Sequence, residues 1–343
     1  MEILSTRLFI SEIMSDIPIL YLFLIIVFTA FFSTLSLTKV WIKIVKKSKL
    51  LGKDMNKYSK PKVPEAGGIA FIMGVTFAVL VYVFIKTFYL STTTNLPDVL
   101  AILVTLLLAG FLGFIDDILG WKAGLPQWQK PLLTVPIAIP LMVINAGNSV
   151  MSIPFIGSVD FGIVYPLLII PLGIVGAANG FNMLAGYNGL EASMGVVILS
   201  VLGITAWSNG ILWLTTVTFS TVASLLAFLV FNRYPSRVFP GNSLTYAAGA
   251  LIACIAILGS MEKVAVFLFM PYFIELIIKA KNKFRTECFG IPQKNGSLKP
   301  PEKVGSLTHV LLKFVKSEKG VVYSLLAIEV LLAFLVLLWL KPF

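Results

Sequence analysis

Phe161-Gly-Ile-Val-Tyr-Pro-Leu-Leu-Ile-Ile-Pro-Leu-Gly-Ile-Val175 runs straight into Gly176-Ala-Ala-Asn-Gly-Phe-Asn-Met-Leu-Ala-Gly-Tyr-Asn-Gly-Leu-Glu191. The first half is apolar enough to cross a lipid bilayer, and the second half is not. It sets Asn179, Asn182 and Asn188 among Gly180, Gly186 and Gly189 and closes on Glu191. Asn179 and Asn182 stand three residues apart, so on a helix they share a face. The glycines then let the chain unwind, so that backbone and amide groups can turn toward a polar ligand. A single Asn-Gly pair would be ordinary helix-end and turn chemistry. Three amides and a carboxylate gathered at a membrane surface call for a ligand.

The composition supports the membrane reading. Of the 343 residues, 58% are hydrophobic and 13% charged, and the mean hydropathy is +0.94. A soluble domain carries about 25% charged residues. The apolar runs lack the period-two alternation of a membrane barrel, and helices satisfy their own backbone in lipid. The fold class expected is all-α and polytopic. The net charge of +11 does not point to nucleic acid, because the basic residues sit in loops beside apolar runs. Cys254 and Cys288 have no metal-type spacing, and a single histidine, His309, excludes chemistry that needs a histidine pair.

About ten spans are expected, near 17–37, 67–88, 97–115, 130–146, 161–177, 192–207, 210–230, 244–260, 263–280 and 321–340. The chain reads as one domain, 1–343, whose first span is an uncleaved helix rather than a signal peptide. Lysine and arginine concentrate in alternate loops, including nine lysines between Lys39 and Lys62 and nine cationic residues between Lys281 and Lys319. Those loops are expected to be cytoplasmic and both termini outside. The segment 281–320 carries Gly290, Pro292, Gly296, Pro300 and Pro301 and reads as a loop or flap within the domain.

Three further clusters fall on the same expected face. Asp116 and Asp117 follow the third span, where two like charges at a helix end beside lipid are costly. Paired aspartates are what metal-assisted phosphoryl transfer uses, one to hold the cation and one to take a proton or orient the nucleophile. Lys130 is a counter-charge at the start of the next span. Lys53-Asp-Met-Asn-Lys57 and Pro61-Lys-Val-Pro-Glu-Ala-Gly-Gly68 form a polar block with Glu65 at the membrane entrance. In Asn232-Arg-Tyr-Pro-Ser-Arg-Val-Phe-Pro-Gly-Asn242, Arg237 suits a phosphate, Phe239 can stack on a base, and Asn242 opens a helix. Together these residues describe a nucleotide-diphosphate and metal site.

Phe111-Leu-Gly-Phe-Ile-Asp-Asp-Ile118, Asn179 to Glu191, and Tyr234-Pro-Ser-Arg-Val-Phe-Pro-Gly241 resemble the polyprenyl-phosphate N-acetylhexosamine-1-phosphate transferases. The Leu-Ala-Gly-x-Asn-Gly-Leu-Glu form is similar to the eukaryotic and archaeal branch that acts on dolichyl phosphate. The resemblance implies that Asp116 and Asp117 are the catalytic pair with Lys130 beside them. It implies Asn182 as a magnesium ligand, Asn188 and Phe239 as holders of uridine, and Glu65 as the glutamate of the first cytoplasmic loop. Asn179, Glu191 and Arg237 complete the expected substrate-binding set. Two departures stand out: the family's metal-binding aspartate is Asn242 here, and Glu287-Cys-Phe-Gly-Ile-Pro-Gln-Lys294 replaces a loop that supplies basic residues or histidines in relatives. Arg285 and Lys294 are the candidate cations in that loop.

The function expected is transfer of N-acetylglucosamine 1-phosphate from UDP-GlcNAc to a polyprenyl (dolichyl) phosphate with release of UMP. Mg²⁺ is the expected cofactor, with Mn²⁺ as a substitute. The partners are the two substrates and membrane lipid, with a homodimer admitted and nucleic acid excluded. An archaeal plasma membrane is favoured over endoplasmic reticulum, with the active site cytoplasmic. The rival readings are a membrane transporter of nucleotide-sugar or another anion, and a catalytically impaired lipid-binding homologue. A transporter would need its polar groups at mid-membrane depth.

Overall fold

The computed structural model describes residues 2–123, 129–153 and 156–339. Helix α1 (Glu2–Ser48) carries Lys46 and Lys47 in its last turn, where cations suit the carbonyl end of a helix. A short antiparallel hairpin follows, β1 (Leu51–Lys53) against β2 (Lys62–Pro64), with Gly52 opposite Val63. Helix α2 (Gly68–Phe84) runs into a π-helical turn, Ile85–Tyr89, and α3 (Leu96–Ala123) returns across the molecule. The next stretch is broken: α4 (Gln129–Thr134), a 3₁₀ turn (Val135–Ala138) and α5 (Ile139–Val143). Strands β3 (Val150–Ile153) and β4 (Gly157–Asp160) form a second antiparallel hairpin.

A π-helical turn, Tyr165–Ile169, leads into α6 (Ile170–Met183), and the chain then crosses back and forth as α7 (Leu190–Ser208), α8 (Leu212–Asn232) and α9 (Gly241–Leu258). Two shorter helices follow, α10 (Glu262–Leu268) and α11 (Met270–Lys281). A small hairpin of β5 (Ile291–Pro292) and β6 (Leu298–Lys299) precedes α12 (Leu307–Val315) and α13 (Glu318–Trp339).

Eight helices among the described residues are long and apolar enough to cross a membrane, so the chain is a polytopic helical membrane protein as expected. The other two stretches expected to span, near 130–146 and 263–280, are not among the eight and form interrupted helices. Near 130–146, Pro136 and Pro140 remove backbone donors and break the run into α4, a 3₁₀ turn and α5. Near 263–280, the chain parts at Phe269 between α10 and α11, and Pro271, which has no N–H to donate backward, sits in the first turn of the new helix.

The core is organised on α9. Its apolar window is 83% buried, against 17% for the window in α1, which lies on the flank. Ala247, Ala248, Ala250 and Ala253 keep α9 slim, and small residues let helices approach closely in lipid. A Cβ at Gly113 of α3 would lie 2.3 Å from the Asn242 carbonyl, and one at Gly249 of α9 would lie 2.4 Å from the Ala177 carbonyl on α6. Helices α3 and α6 therefore touch α9 backbone to backbone, and the residues at their polar ends are brought together.

Candidate active site

A cavity of about 780 Å³ opens where the polar ends of these helices meet. Its wall comes from the end of α1, the β1 strand, α3, α4, the α6–α7 turn and the start of α9, with Glu287 and Phe289 from the segment before α12.

Asp116 and Asp117 lie within α3, which continues past them to Ala123, and not at a helix end as the sequence suggested. Both are buried. Asp117 accepts the backbone N–H of Asn242 on Oδ1 at 2.6 Å and that of Ser243 on Oδ2 at 3.1 Å. It thus caps the first turn of α9, where orphan N–H groups and the helix dipole favour a negative charge. Gly241, at φ +69°, makes the approach feasible, since a Cβ there would lie 2.3 Å from Asp117 Oδ2. Asp116 turns the other way. Its Oδ2 receives the Lys130 ammonium at 2.7 Å and the Asn242 side-chain amide at 2.9 Å.

The asparagine stretch divides. Helix α6 ends at Met183, and Gly186 (φ +123°) and Gly189 (φ +84°) carry the chain through the unwound turn to α7. Asn182 lines the cavity, and its Oδ1 accepts the Thr245 hydroxyl at 2.9 Å. Asn188 lines it as well. Glu191 Oε1 accepts the Gly186 N–H at 2.6 Å, while Oε2 is buried with no hydrogen-bond partner among the described residues. Asn179 is elsewhere: its Nδ2 donates to Thr134 Oγ1 at 2.8 Å and to the Val175 carbonyl at 2.9 Å, which ties α6 to α4.

Glu65 and Phe239 line the cavity from neighbouring strands of chain, with Phe239 N donating to the Pro64 carbonyl at 2.8 Å. Burial pushes the Glu65 carboxyl above its ordinary range. Arg237 is exposed and does not line the cavity. Nor do Arg285 and Lys294, the two cations expected from the long loop. Among the described residues, the cationic ones of the wall are Lys49, Lys53 and Lys130. Lys49 and Lys53, with Asp54, belong to the first loop, which reads in sequence as a basic loop suited to anionic lipid and gives no sign of which residues reach a cavity.

The segment before α12 is fastened to the bundle. Tyr187 Oη and Thr308 Oγ1 both donate to the Cys288 carbonyl, at 3.1 and 2.6 Å, and Gly290 N donates to Asn56 Oδ1 at 3.1 Å. Burial pushes the Cys288 thiol up to about 11, so this cysteine is packing rather than a nucleophile. His309 is buried, as a packed histidine should be. Its Nδ1 accepts the Gly305 N–H at 3.1 Å and its Nε2 faces the Phe289 carbonyl at 3.1 Å. A carbonyl only accepts, so Nε2 carries the proton and the ring is neutral.

Among the described residues no group of three or more His, Cys, Asp or Glu could hold a metal. The cavity nevertheless offers hard oxygen donors: the Asp116 and Asp117 carboxylates and the amides of Asn182 and Asn242. That set fits a cation of the Mg²⁺ kind, which takes one or two carboxylates and completes its shell with water and substrate phosphate.

Residues 99–260 match the model of Glycosyl transferase family 4. A Saccharolobus solfataricus protein is 38% identical over 87% of this chain and 90% of its own length. It is provisionally named UDP-N-acetylglucosamine–dolichyl-phosphate N-acetylglucosaminephosphotransferase. A Dictyostelium discoideum protein bearing that name without qualification is 28% identical over 70% of this chain and 67% of its own. A phospho-N-acetylmuramoyl-pentapeptide-transferase of Halalkalibacterium halodurans is 33% identical over 64% of this chain and 67% of its own. The matched region runs from α3 to the end of α9 and so contains both aspartates, Lys130 and the asparagine turn; the chain belongs to glycosyl transferase family 4.

Proposed function

We propose that the chain transfers N-acetylglucosamine 1-phosphate from UDP-GlcNAc to a polyprenyl phosphate of the dolichyl type. The observation that carries this reading is the buried Asp116–Asp117 pair, held between Lys130 and the N-terminus of α9 on the wall of one large cavity. An oxygen of the lipid phosphate attacks the phosphorus that bears the sugar. The bond from that phosphorus to the UMP oxygen breaks, UMP leaves, and a polyprenyl-diphosphate-GlcNAc remains. Little covalent chemistry is asked of the protein, so its part is positioning and electrostatic stabilisation.

Asp116 and Asp117 with Asn182 and Asn242 are the residues that would hold Mg²⁺ or Mn²⁺. When bound, such an ion would neutralise charge on the diphosphate. Lys130, seated on Asp116, supplies a fixed cation beside the reacting phosphates. Asn188 and Phe239 are assigned to the uracil and Glu65 to the donor. Lys49 and Lys53 take the phosphate role first given to Arg237, Arg285 and Lys294, because they line the cavity and those three do not. The segment 281–320 covers one side of the site through Glu287 and Phe289.

The lysine-rich loops favour a cytoplasmic cavity with both termini outside, and the Saccharolobus relative favours an archaeal plasma membrane. The clustering of polar groups near one end of the apolar spans, rather than halfway along them, favours an enzyme over a transporter. Detergent-solubilised protein given radiolabelled UDP-GlcNAc and dolichyl phosphate should yield organic-extractable label and equimolar UMP. Nucleotide-sugar uptake into proteoliposomes with no lipid product would replace this reading with the transporter.

A further inference from the structure

Asn188 is gripped by two carboxylates from distant parts of the chain. Its Nδ2 donates to Asp54 Oδ2 at 3.0 Å, and its backbone N–H donates to Glu318 Oε1 at 3.0 Å. Lys57 joins the two acids, with Nζ 3.5 Å from Asp54 Oδ2 and paired with Glu318 Oε2. The same ammonium lies 4.1 Å over the Tyr234 ring. Asp54, Asn188 and Glu318 are 6%, 6% and 5% exposed, so water competes little for these bonds. Both Asp54 and Asn188 line the cavity.

An amide has a donor end and an acceptor end, and its neighbours decide which end faces where. A carboxylate can only accept. Asp54 therefore commits the NH₂ of Asn188 to itself and leaves Oδ1 as the end offered to a ligand. An oxygen in that place rewards a base that presents a ring N–H and opposes one that presents a bare ring nitrogen. Uracil carries an N–H at ring position 3, and cytosine carries a lone pair there.

We infer that Asp54 is a positioning residue for nucleobase selection: by orienting the Asn188 amide, it makes the cavity read the ring N–H of uracil and reject cytosine. The inference rests on the UDP-sugar reading given above. Glu318 has a different part, since it touches only the backbone of Asn188 and fixes where the residue sits without fixing how its amide faces. Lys57 keeps the two acids together.

The test is nucleotide binding by calorimetry on the solubilised full chain, with UMP and CMP as probes. The parent protein should prefer UMP by roughly tenfold or more, the size of one buried hydrogen bond set against an unmet acceptor. Asp54→Asn can donate or accept, so it frees the Asn188 amide to turn, and the UMP:CMP ratio should fall toward one. Glu318→Gln should weaken both nucleotides and keep the ratio, which separates orientation from general packing. Should Asp54→Asn fail to fold, 3-methyl-UMP on the parent protein serves instead, and it should bind no tighter than CMP. An unchanged ratio in Asp54→Asn, or 3-methyl-UMP bound as tightly as UMP, overturns the inference. So does equal UMP and CMP affinity in a protein that still makes lipid-linked product, and in that case the transferase reading stands. Absence of lipid-linked product from UDP-GlcNAc overturns the transferase reading and this inference with it.

Discussion

Asn242 donates its side-chain amide to Asp116, 2.9 Å from Nδ2 to Oδ2, on the same oxygen that receives Lys130 at 2.7 Å. An aspartate, the residue expected at 242 from the family pattern, would set a carboxylate against that oxygen and need a cation between the two. The asparagine closes the contact by itself. Asn242→Asp should therefore lose about 1–3 kcal/mol of stability in chelator, recover it as Mg²⁺ is added, and reach half-maximal rate at lower Mg²⁺. Thermal melts with and without Mg²⁺ check the first part and product assays the second. Identical melts and identical Mg²⁺ curves would mean that residue 242 does not reach the ion.

Asp116→Asn and Asp117→Asn are expected to separate. Each should lower turnover by roughly 10²- to 10⁴-fold, the range of a positioned acid–base or electrostatic group. Asp117 also caps α9 through two backbone N–H groups, and an asparagine side chain has one oxygen to offer them. Asp117→Asn should therefore cost about 1–2 kcal/mol of stability as well. Two surface carboxylates would have been cheap to replace; these two are buried. Near-normal turnover in both variants would remove the pair from the chemistry.

Lys53→Ala should raise the KM for UDP-GlcNAc by about tenfold, the worth of one charge-assisted contact. Arg237→Ala and Lys294→Ala should leave it within about twofold, because both side chains are exposed outside the cavity. Steady-state kinetics at two salt concentrations would test the contrast. A large effect at Arg237 or Lys294 with none at Lys53 would move the phosphates to the other side of the site.

His309 and Glu65 predict opposite pH trends. Burial holds the His309 imidazole below its ordinary value of 6.5, so the unfolded chain takes up a proton that the folded one refuses. Its contribution is therefore complete above about pH 6.5 and lost as pH falls through the lower folded value. Protonated Nδ1 would face the Gly305 N–H donor to donor, which should release the 282–306 segment. Hydrogen exchange in that segment should quicken in mild acid, and His309→Gln should blunt the effect. Glu65 is raised above 4.5 by burial, so its ionisation costs stability as pH rises past that range. In Glu65→Gln that loss should vanish from the melting curve.

Much of this was readable in the chain, for identifiable reasons. Apolar runs announce membrane helices because lipid leaves the backbone no other choice. The Asp116–Asp117 pair announces itself because two charges beside lipid are costly. The roles of Asn179 and Arg237 were not readable, since a residue within a polar motif can face a neighbouring helix or solvent equally well. Asn179 and Asn182 are three apart on one helix, yet one bonds Thr134 and the other Thr245. Asp54 and Glu318 went unassigned because their partner, Asn188, lies more than a hundred residues from each in sequence. The prolines near 131–140 and 271 were visible, but their cutting of two spans outweighed the hydropathy that suggested them.

Gly113, Gly241 and Gly249 lie where α9 meets α3 and α6, and a methyl at any of them would press into the Asn242 carbonyl, the Asp117 carboxylate or the Ala177 carbonyl. Both aspartates and Asn182 ride on the two helices wedged against α9 through these gaps. The reacting end of the molecule thus behaves as a keel, in which one added carbon shifts three strakes at once. The flank formed by α1 faces the opposite regime, since its outward apolar side chains can be exchanged for others of similar greasiness without disturbing anything they support.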